Sequence, residues 1–136
     1  MSSTWEAFKQ TMVTPPSLWA AAKANDLAGL EQLLDAGADI DARDHRGYSA
    51  LMLATYTGNA EAFDLLLDRR TDPDSRDVSG NTVLMGAAFK GHLEMFRKLL
   101  AAGADASLKN EAGLGVREFA VLFGRIEIVA ALDSIA

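Results

Sequence analysis

Gly47, Gly80 and Gly113 recur every 33 residues, and the same interval links many other positions without an insertion. Ala21, Ala54, Ala87 and Ala120 form one column, and Gly58, Gly91 and Gly124 a second. Further columns are Leu33, Leu66, Leu99 and Leu132, then Leu30, Phe63, Phe96 and Val129. Acidic positions keep the register too, in Glu61, Glu94 and Glu127 and in Asp39, Asp72 and Asp105. A period this regular means one small supersecondary unit copied and stacked on its neighbours. In 136 residues there is room for four such units. None of them can bury its apolar stripe alone.

The third copy shows what the unit is. Thr82 is placed to cap a helix running to about Lys90, and Gly91 ends it in the left-handed conformation that glycine tolerates. Leu93, Phe96, Leu99 and Leu100 then follow helical spacing, which predicts a second helix over Leu93 to Ala101 with Gly103 as its stop. The segment from Gly103 to Ala112 carries Asp, Asn and Gly with no helical period, as a projecting turn requires.

These residues resemble the ankyrin repeat family. Its motif has Asp and Gly at a hairpin, a Thr-Pro-Leu-His helix start, Ala-Ala, Gly-His, a Leu-Leu pair and Gly-Ala-Asp. The third copy reads Asp77, Gly80, Thr82-Val83-Leu84-Met85, Ala87-Ala88, Gly91-His92, Leu99-Leu100 and Gly103-Ala104-Asp105. The second reads Asp44, Gly47, Ser49-Ala50-Leu51-Met52, Ala54, Gly58 and Leu66-Leu67, and the first keeps Leu33-Leu34 and Gly37-Ala38-Asp39. The resemblance covers about residues 17–136. It implies an all-α solenoid of helix-turn-helix units, with β-hairpin-like loops projecting to one side and a concave surface that binds partners. The repeats are expected at about 14–46, 47–79, 80–112 and 113–136.

Departures from the motif carry expectations of their own. Met52 and Met85 stand where the family has His, so the Thr-His hydrogen bond is expected to be lost and apolar packing to replace it. Arg69-Arg70-Thr71 replaces Gly-Ala-Asp, and a non-glycine residue held left-handed costs on the order of 1 kcal/mol. That second hairpin is therefore expected to be irregular. In the last copy Gly115, Arg117 and Glu118 point to a polar end-cap, with Glu118 facing water.

Ahead of the repeats, Thr4 to Val13 reads as a short amphipathic helix with a capping box at Ser3 and Glu6, apolar through Trp5, Phe8 and Met12 and stopped by Pro15 and Pro16. Residues 1–16 then form a cap over the first repeat, with docking into a partner groove or self-association as the alternatives.

Composition removes several functions. With no Cys there is no thiol catalysis, no Cys-ligated zinc and no disulfide, which suits a reducing, cytoplasmic setting. A net charge of -6 argues against nucleic-acid binding, and no apolar run approaches the roughly 18 residues that a membrane span needs. Of the two histidines, His92 falls in the Gly-His column, where the family uses it for local hydrogen bonding, and His45 falls at a hairpin tip. Neither has a nucleophile at a recognisable spacing. The acids Asp39, Asp41 and Asp44, copied as Asp72, Asp74 and Asp77, lack the glycine and the terminal glutamate of a calcium loop and are expected to close turns on backbone N–H groups. Met52 and Met85 read as packing residues, since no His or Cys joins their column to make a metal site. No catalytic residue, cofactor or metal is expected.

What remains is the surface that the resemblance assigns to partners, the hairpin tips and the exposed side of each first helix. Carried across by column, it comprises Arg43, His45, Arg46, Tyr48 and Tyr56, then Arg76, Asn81, Phe89 and Lys90, then Lys109, Leu114 and Phe123. Aromatic and arginine side chains are common interface anchors, and five cations on one face of an acidic protein point to a partner with an acidic patch. The expected function is a non-enzymatic protein-binding module, monomeric when unbound, that masks, inhibits or scaffolds another protein. A small enzyme or cofactor-binding protein, and a homo-oligomer joined through the N-terminal helix, are the alternatives.

Overall fold

The computed structural model describes residues 17–135. The predicted helix at Thr4 to Val13 lies outside them. Eight helices follow in chain order among the described residues: α1 Leu18–Ala24, α2 Leu27–Asp35, α3 Ala50–Thr57, α4 Ala60–Asp68, α5 Val83–Lys90, α6 Leu93–Ala101, α7 Val116–Leu122 and α8 Ile126–Ser134. They form four antiparallel pairs. The first helices stack on one another, α1 on α3, α3 on α5 and α5 on α7, with each second helix packed against its own first helix.

Local chemistry sets each helix. Ser17, Ser49 and Thr82 cap α1, α3 and α5 by accepting a hydrogen bond from the N–H of the third residue on, and Asp26 caps α2 in the same way. Asn25, Gly58 and Gly91 close the first helices in the left-handed conformation. Burial then joins the units: Leu30, Phe63, Phe96, Leu66 and Leu99 from the second helices and Ala54, Ala87, Leu51 and Leu84 from the first are fully enclosed. Met52 and Met85 are buried among them as filler, as expected.

Two expectations are corrected here. The second hairpin is regular. Arg70 takes a φ of 63°, the conformation of Gly37 and Gly103, and Thr71 N–H still donates to the Leu66 carbonyl at 3.2 Å, like Ala38 to Leu33 at 3.0 Å and Ala104 to Leu99 at 2.9 Å. The strain is absorbed by one residue because the backbone hydrogen bonds around it are all made. The helix-start bond is also not lost in the third copy. The Met85 sulfur accepts from Thr82 N–H at 3.3 Å while Thr82 Oγ1 accepts from Met85 N–H at 3.2 Å, so a thioether stands in for the imidazole. In the last copy Glu118 does this, accepting from Gly115 N–H at 3.1 Å while its side chain faces water as expected.

Neighbouring copies are tied by polar bonds as well as by apolar packing. Asn59 Nδ2 donates to the Ala22 and Lys23 carbonyls at 2.8 and 2.9 Å, and Arg125 donates to the Phe89 carbonyl at 2.9 Å. The ends of α1 and α5 thus have free carbonyls satisfied by the next unit. Asp41 Oδ1 accepts from Thr71 Oγ1 and from Asp72 N–H, both at 2.8 Å, and Asp74 Oδ1 accepts from Asp105 N–H at 2.8 Å. The polar end-cap is only half realised. Arg117 and Glu118 are exposed, but Val121 is 63% exposed where Ala22 and Ala88 are buried, and Leu122 and Ile126 are exposed beside it.

Candidate functional site

The loops between helix pairs are short antiparallel hairpins, with single bridges pairing Arg43 with Ser49, Arg76 with Thr82 and Lys109 with Gly115. Each is closed by one side chain, as expected for the acids. Asp44 Oδ1 accepts from Arg46 and Tyr48 N–H, Asp77 Oδ1 from Ser79 and Asn81 N–H, and Asn110 Oδ1 from Ala112 and Leu114 N–H, all between 2.9 and 3.0 Å. The hairpins also bond to one another. Arg43 Nη1 donates to the Arg76 carbonyl at 2.9 Å, Glu111 N–H to the Ser79 carbonyl at 3.0 Å, and Asn110 Nδ2 to Asn81 Oδ1 at 2.8 Å. This face is ordered before anything binds it.

A cleft of about 400 Å³ opens where the Arg43–Ser49 and Arg76–Thr82 hairpins meet α3, α5 and α7, lined by Tyr48, Tyr56, Asp77, Asn81, Met85, Gly86, Phe89, Lys90 and Phe119. Gly86 creates it. One period earlier its column holds Leu53 and one period later Phe119, so α5 lacks a side chain at the place where its neighbours carry large ones. A glycine inside a helix costs roughly 0.5–1 kcal/mol relative to alanine, which makes its presence here informative. Any Cβ at this position would run into the ring of Tyr56, which lies directly over the helix backbone. Tyr48 and Tyr56 meet edge to face with centroids 5.6 Å apart, and Phe89 meets Phe123 in the same way at 4.7 Å. Burial, with the Asp77 carboxylate and Tyr48 nearby, pushes the Tyr56 phenol up, so it stays neutral.

Of the twelve residues predicted from the sequence, the cleft gathers Tyr48, Tyr56, Asn81, Phe89 and Lys90. Phe123 packs behind Phe89 and stacks on Phe119 at 6.2 Å. Arg46 lies over the Tyr48 ring at 4.6 Å and 3.5 Å from Asp44. His45 and Lys109 are exposed on their hairpins, while Arg43 and Arg76 are tied to each other through the bond between them. Leu114 is elsewhere, in a shallow apolar hollow with Arg117, Glu118, Val121 and Leu122. The five cations therefore do not converge on one point. Column reasoning missed Asp77, Gly86 and Phe119, although the sequence of Leu53, Gly86 and Phe119 within one column was a readable signal.

A family model of ankyrin repeats in three copies matches residues 18–110. The chain belongs to the ankyrin repeat family. Ankyrin repeats are in general protein–protein interaction modules, and the family is typically non-enzymatic. The fourth helix pair lies beyond the matched residues but keeps the period and the stacking of α7 on α5. Among the described residues no group of His, Cys, Asp and Glu could hold a metal ion, and no helix is long and apolar enough to cross a membrane.

The ankyrin Gly-His position is a further correction. His92 makes no side-chain capping bond. Its ring instead lies over Gly58, where a Cβ would sit 3.5 Å from Cε1. Burial, then Lys90 and Arg125, lower its pKa from the ordinary value of 6.5. A depressed histidine favours the folded form above the unfolded pKa, and that contribution is lost as pH falls through its folded value. The unfolding midpoint should therefore decline as pH drops below about 6.5, and His92→Gln should flatten that decline. Equal slopes in thermal melts of the two proteins would remove His92 as the cause. A separate acid limb remains. For Asp44 burial opposes the shift, but the N–H groups of Tyr48 and Arg46 with the Arg46 charge outweigh it, and the Ser107 hydroxyl and N–H act likewise on Asp105. Both carboxyls are lowered, so their contribution is complete above about pH 4 and lost below it.

Proposed function

We propose that this ankyrin repeat protein binds another protein along the face made by its hairpins and first helices, and acts as a masking, inhibitory or scaffolding subunit in the cytoplasm. The observation that carries the reading is the cleft at Gly86: exposed and half-buried aromatic rings held on a face whose loops are already bonded to each other. Such a surface loses little conformational freedom on docking, which favours affinity. Phe89, beside Lys90, is 41% exposed and Val78 at a hairpin tip is 69% exposed, a mixture of apolar and charged groups usual at interfaces. The surplus of Arg and Lys on this side of an acidic chain supports a partner with an acidic patch.

Crosslinked capture from native extract tests this, with the double variant Arg46→Glu and Lys109→Glu as the control. Both residues are exposed, whereas Arg43 holds the neighbouring hairpin and is unsuitable. A specific protein should be retained at low salt, should wash off as ionic strength rises past about 0.15 M, where the Debye length is about 8 Å, and should be lost with the double variant. Retention indifferent to both salt and charge reversal would contradict the acidic-patch reading, and absence of any saturable partner would contradict the binding function.

A further inference from the structure

We infer that the cleft at Gly86 is an anchor pocket for one tyrosine or tryptophan side chain carried on an acidic segment of the partner; this rests on the protein-binding reading and adds what enters. Size comes first. About 400 Å³ lies at the small end of ligand pockets, so it suits one large side chain with its flanking backbone. Its walls come next. Tyr48, Tyr56, Phe89 and Phe119 offer ring edges and faces, and an incoming ring gains edge-to-face contacts that an aliphatic chain does not.

An arginine or lysine is the obvious rival, since aromatic walls also attract cations. Here two of the four rings already have a cation beside them. Arg46 covers the Tyr48 ring at 4.6 Å, and Lys90 Nζ stands 5.7 Å from the Phe89 centroid. A third cation would meet both. The polar edge of the occupant is set by Asp77. Its Oδ1 is used twice in closing the hairpin, but its Oδ2 receives only a long 3.3 Å bond from Asn81 Nδ2. A carboxylate oxygen accepts and does not donate, so it selects a ring bearing O–H or N–H over phenylalanine. Lys90, exposed on the rim and in no ion pair among the described residues, then favours a carboxylate next to that ring.

The test uses the full chain, labelled with ¹⁵N, and the peptide acetyl-Asp-Glu-Trp-Glu-Asp-amide. Saturable amide shifts should centre on Gly86, Phe89 and Asn81. Replacing the central residue by Ala, or all four acids by Lys, should weaken binding about tenfold or more, and replacing it by Phe severalfold, as truncated anchors do. Gly86→Leu should abolish binding, but it must displace Tyr56 and could unfold α5. Phe89→Ala and Lys90→Glu, at exposed positions, therefore decide the matter. The first should weaken the peptide about fivefold or more, and the second should erase the preference for acidic over basic flanks. The inference is overturned if an Arg-centred peptide binds as tightly as the Trp one, if shifts centre on Leu114 and Val121, if neither exposed variant changes affinity, or if no saturable shift occurs. In each case a salt-sensitive partner captured from extract would leave the broader binding function standing, and its absence would not.

Discussion

Replacing Phe63 by alanine should lower the stability of the stack by about 3–5 kcal/mol, the range for removing a buried phenyl ring. Phe63 is fully enclosed in α4. Its column continues through Leu30 and Phe96, which are equally buried, so no neighbour can move in to fill the cavity without opening another. Against a total of roughly 5–15 kcal/mol this is a large share, and the midpoint of a thermal melt followed by circular dichroism should fall by roughly 10–20 °C. Val129→Ala, in the same column but only half-buried in α8, should cost far less. Similar losses at the two positions would mean that the last helix pair is as firmly packed as the second, contrary to the exposure of Val121, Leu122 and Ile126.

The second large effect separates backbone strain from contact between units. Gly47 and Gly113 sit in one column, two periods apart, in the same left-handed conformation, with φ of 80° and 78°. A Cβ on Gly113 would meet nothing within 4 Å, whereas one on Gly47 would lie 2.8 Å from the Val78 backbone nitrogen. Gly113→Ala should therefore cost only the conformational penalty, about 1–2 kcal/mol. Gly47→Ala should cost that plus displacement of the third-copy hairpin, about 2–4 kcal/mol in all, since backbone in a bonded hairpin gives way only by losing hydrogen bonds. Chemical denaturation of both variants measures the difference. Equal midpoints would show that the hairpins slide past each other freely.

These contrasts mark where sequence reasoning holds and where it stops. Helix limits, caps and the acid-closed turns were legible because each depends on residues two to four apart: Thr82 on Met85, Asp44 on Arg46 and Tyr48. The family was legible because the period repeats them. What two copies do to each other was not. Arg70 looked like a fault because its left-handed backbone is visible in the sequence, while the Leu66 to Thr71 hydrogen bond that steadies it is not. The Met85 sulfur bond depends on a side-chain rotamer, and the expected loss of the histidine bond ignored that a thioether reaches the same N–H. Arg43, Arg76 and Lys109 share a column, yet Arg43 is engaged with the Arg76 carbonyl and Arg46 with Asp44, so the cations form no single cluster. The aromatic residues did converge, because the missing side chain at Gly86 left them room.

The bonds from Asp41 to Asp72 and from Asp74 to Asp105 all run in one direction, the acceptor lying in the earlier copy and the donor in the later one. A polypeptide leaving the ribosome presents its acceptors first. Each loop's acceptor is therefore synthesised before its donor, and loss of the Asp41 carboxylate unties one loop, at Thr71 and Asp72, while the rung from Asp74 to Asp105 stands.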